Sequence, residues 1–156
     1  MNRLPRRRPL LRFLLTACAA VTLMRAAVAE RGLPLVQPFP VTDYEGHNQT
    51  WAITQDRAGV LYVGNRDCVL TYDGVRWGRI ETGGLFNYSV GIDAGDRIWI
   101  GGVNELGSLE ADGRGGRKFV SLRPHLPDAA QTFGTVFFMA VLPHGVYFIT
   151  STGTLR

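Results

Sequence analysis

Residues 59–77 read GVLYVGNRDCVLTYDGVRW, a window that holds alternating apolar residues, two aspartates, one cysteine, an Asp-Gly pair and a closing tryptophan. Taken alone it has the density of a ligand site. Laid against the rest of the chain it is one copy of a repeated unit. Ile53 to Gly64 aligns without gaps on Val90 to Gly101: Asp56 falls on Asp93, Leu61 on Ile98, Tyr62 on Trp99, Val63 on Ile100 and Gly64 on Gly101, each 37 residues on. Val69 and Tyr72 fall on Leu106 and Leu109 at the same interval.

A third copy begins at Phe138, with Val146-Tyr147-Phe148 standing where Ile98-Trp99-Ile100 stood, now 48 residues on. About eleven extra residues therefore separate the second and third copies, and the Gly113 to Lys118 stretch with Pro124 to Gln131 is expected to hold them as loop. In this register Leu155 matches Leu70, and the third copy stops before a counterpart of Tyr72-Asp73-Gly74.

Each unit reads as short antiparallel strands. Trp51 to Gln55 is β-friendly, Asp56 to Gly59 supplies turn chemistry, and Val60 to Gly64 and Val69 to Tyr72 are β-branched and aromatic. Asp73-Gly74 is a hairpin signal, since glycine takes the positive φ that residues with a Cβ avoid, and Val75 to Ile80 is a fourth strand. Four short strands at a period near 40 predict β-propeller blades. The expected fold class is all-β, with about two and a half four-stranded antiparallel blades over residues 50–156, the third truncated, after a lead-in at 30–49. Gly64 and Gly101 are expected where a neighbouring backbone comes too close for a side chain. Two and a half blades cannot close a ring, so bare faces and edges are expected to favour association or disorder.

These residues resemble the two-component regulator propeller repeat, whose pattern is Asp-x-x-Gly, an aliphatic-aromatic-aliphatic-Gly strand, then Leu-x-Tyr-Asp-Gly and an aromatic. Asp56 to Gly59, Leu61 to Gly64, Leu70 to Gly74 and Trp77 carry the match in the first unit. The second keeps Asp93, Ile98 to Gly101 and Leu109, but has Glu110-Ala111 in place of Asp-Gly. The lead-in Asp43-Tyr44-Glu45-Gly46 with Gln49-Thr50-Trp51 is similar to the start of such proteins. The resemblance implies a periplasmic sensor region, homodimeric in its parent, that binds a small molecule or oligosaccharide on the propeller face. The kinase or diguanylate cyclase output would lie beyond a downstream membrane helix. It implies no catalytic residue, cofactor or metal within these residues, and leaves the ligand-binding residues unassigned; a secreted propeller enzyme acting on polysaccharide and a periplasmic scaffold propeller are the alternative functions.

The charge agrees with export rather than nucleic-acid binding. The chain carries +4 overall, but six of its 17 Lys+Arg lie in the first 29 residues, which leaves 11 against 13 Asp+Glu, or −2, for residues 30–156. The basic balance belongs to the leader, and a phosphate-binding surface loses its main support. Five of these arginines precede an apolar run from Phe13 to Met24 and Arg25 follows it, and Ala27-Val28-Ala29 forms a small-x-small cleavage pattern, so residues 1–29 read as a signal peptide. An uncleaved anchor, a lipid on Cys18 within Leu15-Thr16-Ala17-Cys18, and a twin-arginine signal are the alternatives that the segment leaves open. After cleavage Cys68 is the one remaining cysteine, so no internal disulfide is available.

Candidate chemistry is sparse. His47, His125 and His144 are far apart, without the convergent spacing of a zinc site, and read as loop histidines. Cys68 aligns with Glu105, which argues against a nucleophile. Asp56, Asp67, Asp73, Asp93, Asp96 and Asp112 lack calcium-loop spacing and suit turns. Gly113 to Lys118 lacks the Gly-Lys-Ser/Thr ending of a phosphate loop and reads as flexible loop. Trp51, Tyr62, Trp77 and Trp99 occupy strand positions, most of them expected between blades. Aromatics at a propeller's axial mouth would instead stack on a sugar ring, and spacing alone does not divide the two groups.

Overall fold

A computed structural model describes residues 35–83 and 86–156. The signal-peptide reading of residues 1–29, including Cys18, lies outside the described residues. The chain divides into two units, Met1–Gln37 and Pro38–Arg156. The described residues of the first, Leu35–Gln37, have no regular secondary structure.

The second unit opens with a single helical turn, α1 (Val41–Tyr44), and continues into three separate antiparallel sheets. The first holds β1 (Thr50–Gln55), β2 (Leu61–Asn65), β3 (Val69–Tyr72) and β4 (Trp77–Ile80) in that spatial order. The second holds β5 (Ser89–Ile92), β6 (Ile98–Gly101), β7 (Leu106–Ala111) and β8 (Arg117–Ser121), again in order. The third holds β9 (Val136–Leu142), β10 (Gly145–Thr150) and the two-residue β11 (Thr154–Leu155). Each is a meander, and the fold class is all-β with blade-like sheets. The expected match of Leu155 to Leu70 holds, since Phe148 pairs with Leu155 as Val63 pairs with Leu70.

Aspartates build the turns. The Asp56 carboxylate accepts Val60 N at 2.9 Å and the Tyr62 hydroxyl at 3.0 Å. Asp93 repeats this by accepting Gly95 N at 2.8 Å, Arg97 N at 3.0 Å and the Trp99 indole N–H at 2.9 Å. The Asp-to-aromatic interval of six residues is therefore a turn clamp: one oxygen closes the turn and the other reaches the aromatic on the next strand. Asp73 closes the β3–β4 hairpin through Val75 N and Arg76 N.

The placement of the inserted residues differs from expectation. Gly113 to Lys118 is no loop insertion: residues 112–116 form a tight turn, and Arg117 and Lys118 belong to β8. Asp112 accepts Arg114 N at 2.7 Å and Gly116 N at 2.9 Å, while Gly113 and Gly115 take φ of 79° and 90°. This Asp-Gly turn sits beyond Glu110-Ala111 because the hairpin gained the ladder pairs Glu110–Lys118 and Ala111–Arg117. Residues 122–135 supply the rest and are ordered by two 3₁₀ turns, Arg123–His125 and Asp128–Ala130.

Cross-strand partners share a face, so the register assigns the packing. Tyr62, Val69 and Ile80 of the first sheet meet Ile98, Ile100 and Leu109 of the second in one buried cluster, with Phe119 of β8 against it. The opposite face of the second sheet, through Leu106 and Trp99, meets Met139 and Phe148 of the third, joined by Phe133 from the 122–135 connection. A Cβ on Gly64 would collide with the Asn87 carbonyl oxygen, and one on Gly101 would lie 2.5 Å from Val136 Cγ1. Both glycines are thus required by the approach of the next sheet.

The first strands β1, β5 and β9 pack along one another, whereas β4 and β8 approach much less. The sheets converge at their first strands and splay at their fourth, as propeller blades do. The open face of the first sheet is not bare over its outer half. The lead-in covers it: Phe39 lies 5.2 Å from Tyr72 and 5.3 Å from Trp77, and Tyr44 lies 5.4 Å from Trp77. Ile53 of β1 at 64% and Phe138 of β9 at 62% exposure mark where the two outward faces remain open.

Candidate functional site: an aromatic row on the innermost strands

The register divides the aromatics that sequence left together. Tyr62 and Trp99 lie between sheets, as expected. Trp77 packs under the lead-in with Phe39, Tyr44 and Tyr72, and its indole N–H is buried with no hydrogen-bond partner among the described residues. Trp51 lies outside the two buried clusters between the sheets; it belongs to a row at the inner edge.

Three residues hold one place in the repeat. Ile53 pairs with Val63, Val90 with Ile100 and Met139 with Phe148, and the residue two before each first partner is Trp51, Tyr88 and Phe137. At Trp51 the β1–β2 ladder shifts between Thr50 and Ala52, and at Phe137 the β9–β10 ladder shifts between Ile149 and Thr150. Such bulges re-aim a side chain out of the pleat. Trp51 and Tyr88 have centroids 4.5 Å apart, and Tyr88 and Phe137 5.8 Å. Phe86 completes the group, stacked on Tyr88 at 5.7 Å with an interplanar angle of 8°, and also 5.7 Å from Trp51. Each such pair contributes about 0.5–1.5 kcal/mol beyond its area. The group nonetheless stays open to solvent, with Trp51 38% and Phe137 60% exposed.

Polar residues fix the flank of the row. Asn65, fully buried, accepts His47 N at 3.0 Å and donates to the His47 carbonyl at 2.6 Å and the Gln49 carbonyl at 3.1 Å. This ties the segment before Trp51 to the end of β2. Asn87, 3% exposed, donates to the Asn65 carbonyl at 3.0 Å and so holds the chain between Phe86 and Tyr88. Arg66 lies over the Phe86 ring at 5.0 Å, with its guanidinium 3.3 Å from His47 Nε2 and 3.7 Å from Asp67. One cation therefore borders the row.

The other sequence candidates do not converge on a reactive centre. Cys68 is fully buried behind β3, and burial pushes its thiol up to about 11, which leaves too little thiolate for a nucleophile. His125 lies in a 3₁₀ turn and His144 in the β9–β10 hairpin, and no group of three His, Cys, Asp or Glu could hold a metal among the described residues. Asp56, Asp73, Asp93 and Asp112 are committed to turns, and Asp96 accepts Arg57 N across the first two sheets. Burial raises the Asp93 carboxyl, but the bonds from Trp99, Arg97 and Gly95 outweigh it and hold it below its ordinary value.

Sequence reasoning missed Phe86, Tyr88 and Phe137. The signal was present, since Trp51 and Tyr88 are 37 residues apart, the interval of the repeat itself. What the row can do chemically is present flat, partly hydrated π-surfaces across three consecutive sheets, which suits a ligand with apolar ring faces. No protein-family model matches the chain, and no curated protein matches it.

Proposed function

We propose that this chain is the exported, ligand-sensing propeller part of a signalling receptor and that its ligand stacks on the row formed by Trp51, Tyr88 and Phe137. The observation that carries the binding reading is the row itself: one aromatic per blade at the same repeat position, with Trp51 and Phe137 exposed at its two ends and Tyr88 half-buried between them. Large exposed aromatics in a contiguous patch are what binding sites retain. A saccharide fits such a surface, because its C–H faces stack on rings while its hydroxyls stay hydrated. Arg66 would pair with a carboxylate at the flank.

The receptor context rests on the resemblance of the repeat units to two-component regulator propellers and on the export-type leader. Within this reading the chain binds and does not turn over its ligand, and the periplasm is where it meets it. Isothermal titration of the chain with neutral and uronic-acid oligosaccharides tests the binding step. Trp51→Ala and Phe137→Ala should each weaken a detected ligand by about tenfold, the loss of one stacked aromatic at roughly 1.4 kcal/mol. Unchanged affinity in both variants would place the ligand elsewhere, and release of shortened sugars would make the protein an enzyme.

A further inference from the structure

The corner where the lead-in meets the end of β2 holds a mismatch of hydrogen-bonding groups. His47 Nδ1 accepts the Gln49 N–H at 3.1 Å, which uses the one acceptor that a neutral imidazole has. The ring proton therefore sits on Nε2. That N–H faces Arg66 Nη1 at 3.3 Å, and a guanidinium carries only donors. Two donors thus meet with no acceptor between them. Asp67 does not supply one, because its carboxylate lies 3.7 Å from Arg66 Nε, on the other edge of the guanidinium, and both side chains are close to half exposed, which keeps that ion pair weak.

Neither donor is loosely held. The His47 backbone is gripped by both ends of the buried Asn65 side chain. The Arg66 guanidinium lies over the Phe86 ring at 5.0 Å, and the Phe86 N–H donates back to the Arg66 carbonyl at 2.6 Å. Phe86 takes φ of 65°, a conformation that bulky residues rarely adopt, and this sets its ring under the cation and against Trp51 and Tyr88. The charged corner occurs once among the three copies. The repeat counterparts of Arg66 are Val103, 37 residues on, and Ser151, a further 48 on, and neither carries charge.

We propose that His47 and Arg66 are the specificity-determining pair of the aromatic row, donating together to one carboxylate, so that the ligand is an acidic saccharide held in one direction. Its charged ring lies at Trp51 and Phe86, and its uncharged part runs towards Tyr88 and Phe137. An anionic oxygen seated against both nitrogens accepts from each at about 2.8 Å and resolves the mismatch. Given the row as the binding surface, on which this assignment rests, a neutral sugar gains the stacking but leaves the two donors opposed.

Phenyl β-glucuronide and phenyl β-glucoside differ only in a carboxylate against a hydroxymethyl group, and each is titrated into the full chain by nuclear magnetic resonance. The glucuronide should bind about tenfold more tightly, the contribution of a charge-assisted hydrogen bond, and should shift Trp51 and Phe86 but not Phe137. Arg66→Gln should reduce it to the affinity of the glucoside. His47→Phe should weaken it severalfold, and His47→Gln, which keeps a donor, should recover part of that loss. The glucoside should bind all three variants as it binds the wild type, which a merely structural role for the pair would not allow. Equal affinity for the two compounds, both weakened by Trp51→Ala, would keep the row and overturn the pair. Selectivity that survives Arg66→Gln, or shifts at Phe137 in place of Trp51, overturns it as well. Selectivity that Arg66→Gln abolishes and Trp51→Ala leaves untouched would uphold the pair and remove the row. Binding of neither compound up to about 50 mM overturns both.

Discussion

Replacing Gly64 by alanine adds a single methyl group at the place where the second sheet comes closest to the first. The new Cβ would collide with the Asn87 carbonyl oxygen and lie 3.0 Å from Val90 Cγ2. The carbonyl is backbone, held by the bonds that Asn87 makes to Asn65, so it cannot swing aside as a side-chain tip would. Overpacking of this kind costs typically 1–3 kcal/mol, and a fixed backbone neighbour puts Gly64→Ala near the top, at about 3 kcal/mol. Gly101→Ala meets Val136 Cγ1 at 2.5 Å and Ser89 Oγ at 2.6 Å, both side-chain atoms with room to rotate, so about 1–2 kcal/mol is expected. The third copy provides the control. Ile149 holds the equivalent place on a face that no sheet covers and is 36% exposed, so Ile149→Ala should cost less than about 1 kcal/mol. Urea unfolding followed by far-UV circular dichroism gives all three midpoints. If Gly64→Ala unfolds at the wild-type midpoint, the sheets do not pack face to face at this distance and the blade arrangement is refuted.

Three further outcomes follow from single groups. Cys68 is fully buried with its thiol pushed up to about 11, so at pH 8 a thiol reagent should label it only as fast as the protein opens; instant labelling would contradict its burial. Asp73 is held low by Arg76 N and Val75 N, and Asp93 stays low despite its desolvation. Both are depressed groups, so their contribution is complete above the ordinary carboxylate value of about 3.9 and is lost as pH falls through the lower folded values. Urea midpoints should therefore drop between about pH 5 and pH 2, and Asp93→Asn should flatten that slope; an unaltered slope would remove Asp93 as a contributor. Trp77→Phe discards an indole N–H that has no hydrogen-bond partner among the described residues, so the lost ring area should be largely offset and the net change stay below about 1 kcal/mol, measured by thermal unfolding.

The blades were legible because their signals are local and repeated. An Asp that closes a turn and clamps the aromatic six residues on leaves a mark in the first two copies, and a glycine that the next sheet forbids to grow leaves another. The Gly113 to Lys118 stretch misled because glycines serve both flexible loops and tight positive-φ turns. Only the ladder pairs at Glu110 and Ala111 reveal that the hairpin had lengthened and carried its Asp-Gly turn two residues along. The aromatic row escaped for a different reason. Trp51 and Tyr62 look alike in composition, yet one lies on a bulge at the innermost strand and the other in the pleat between sheets. That distinction depends on pairing register, which no single strand contains. The aromatics of the lead-in, Phe39 and Tyr44, likewise gain meaning only when the chain folds back on Tyr72 and Trp77.

The row makes a claim about where the ligand sits, and nuclear magnetic resonance reads that directly. In a chain with labelled aromatic side chains, titration with the oligosaccharide that binds most tightly should shift Trp51, Phe86, Tyr88 and Phe137, and saturation of their rings should transfer to the C–H protons of the sugar. Shifts confined to Trp99, Phe148 and their neighbours between the second and third sheets, with the row silent, would contradict the account.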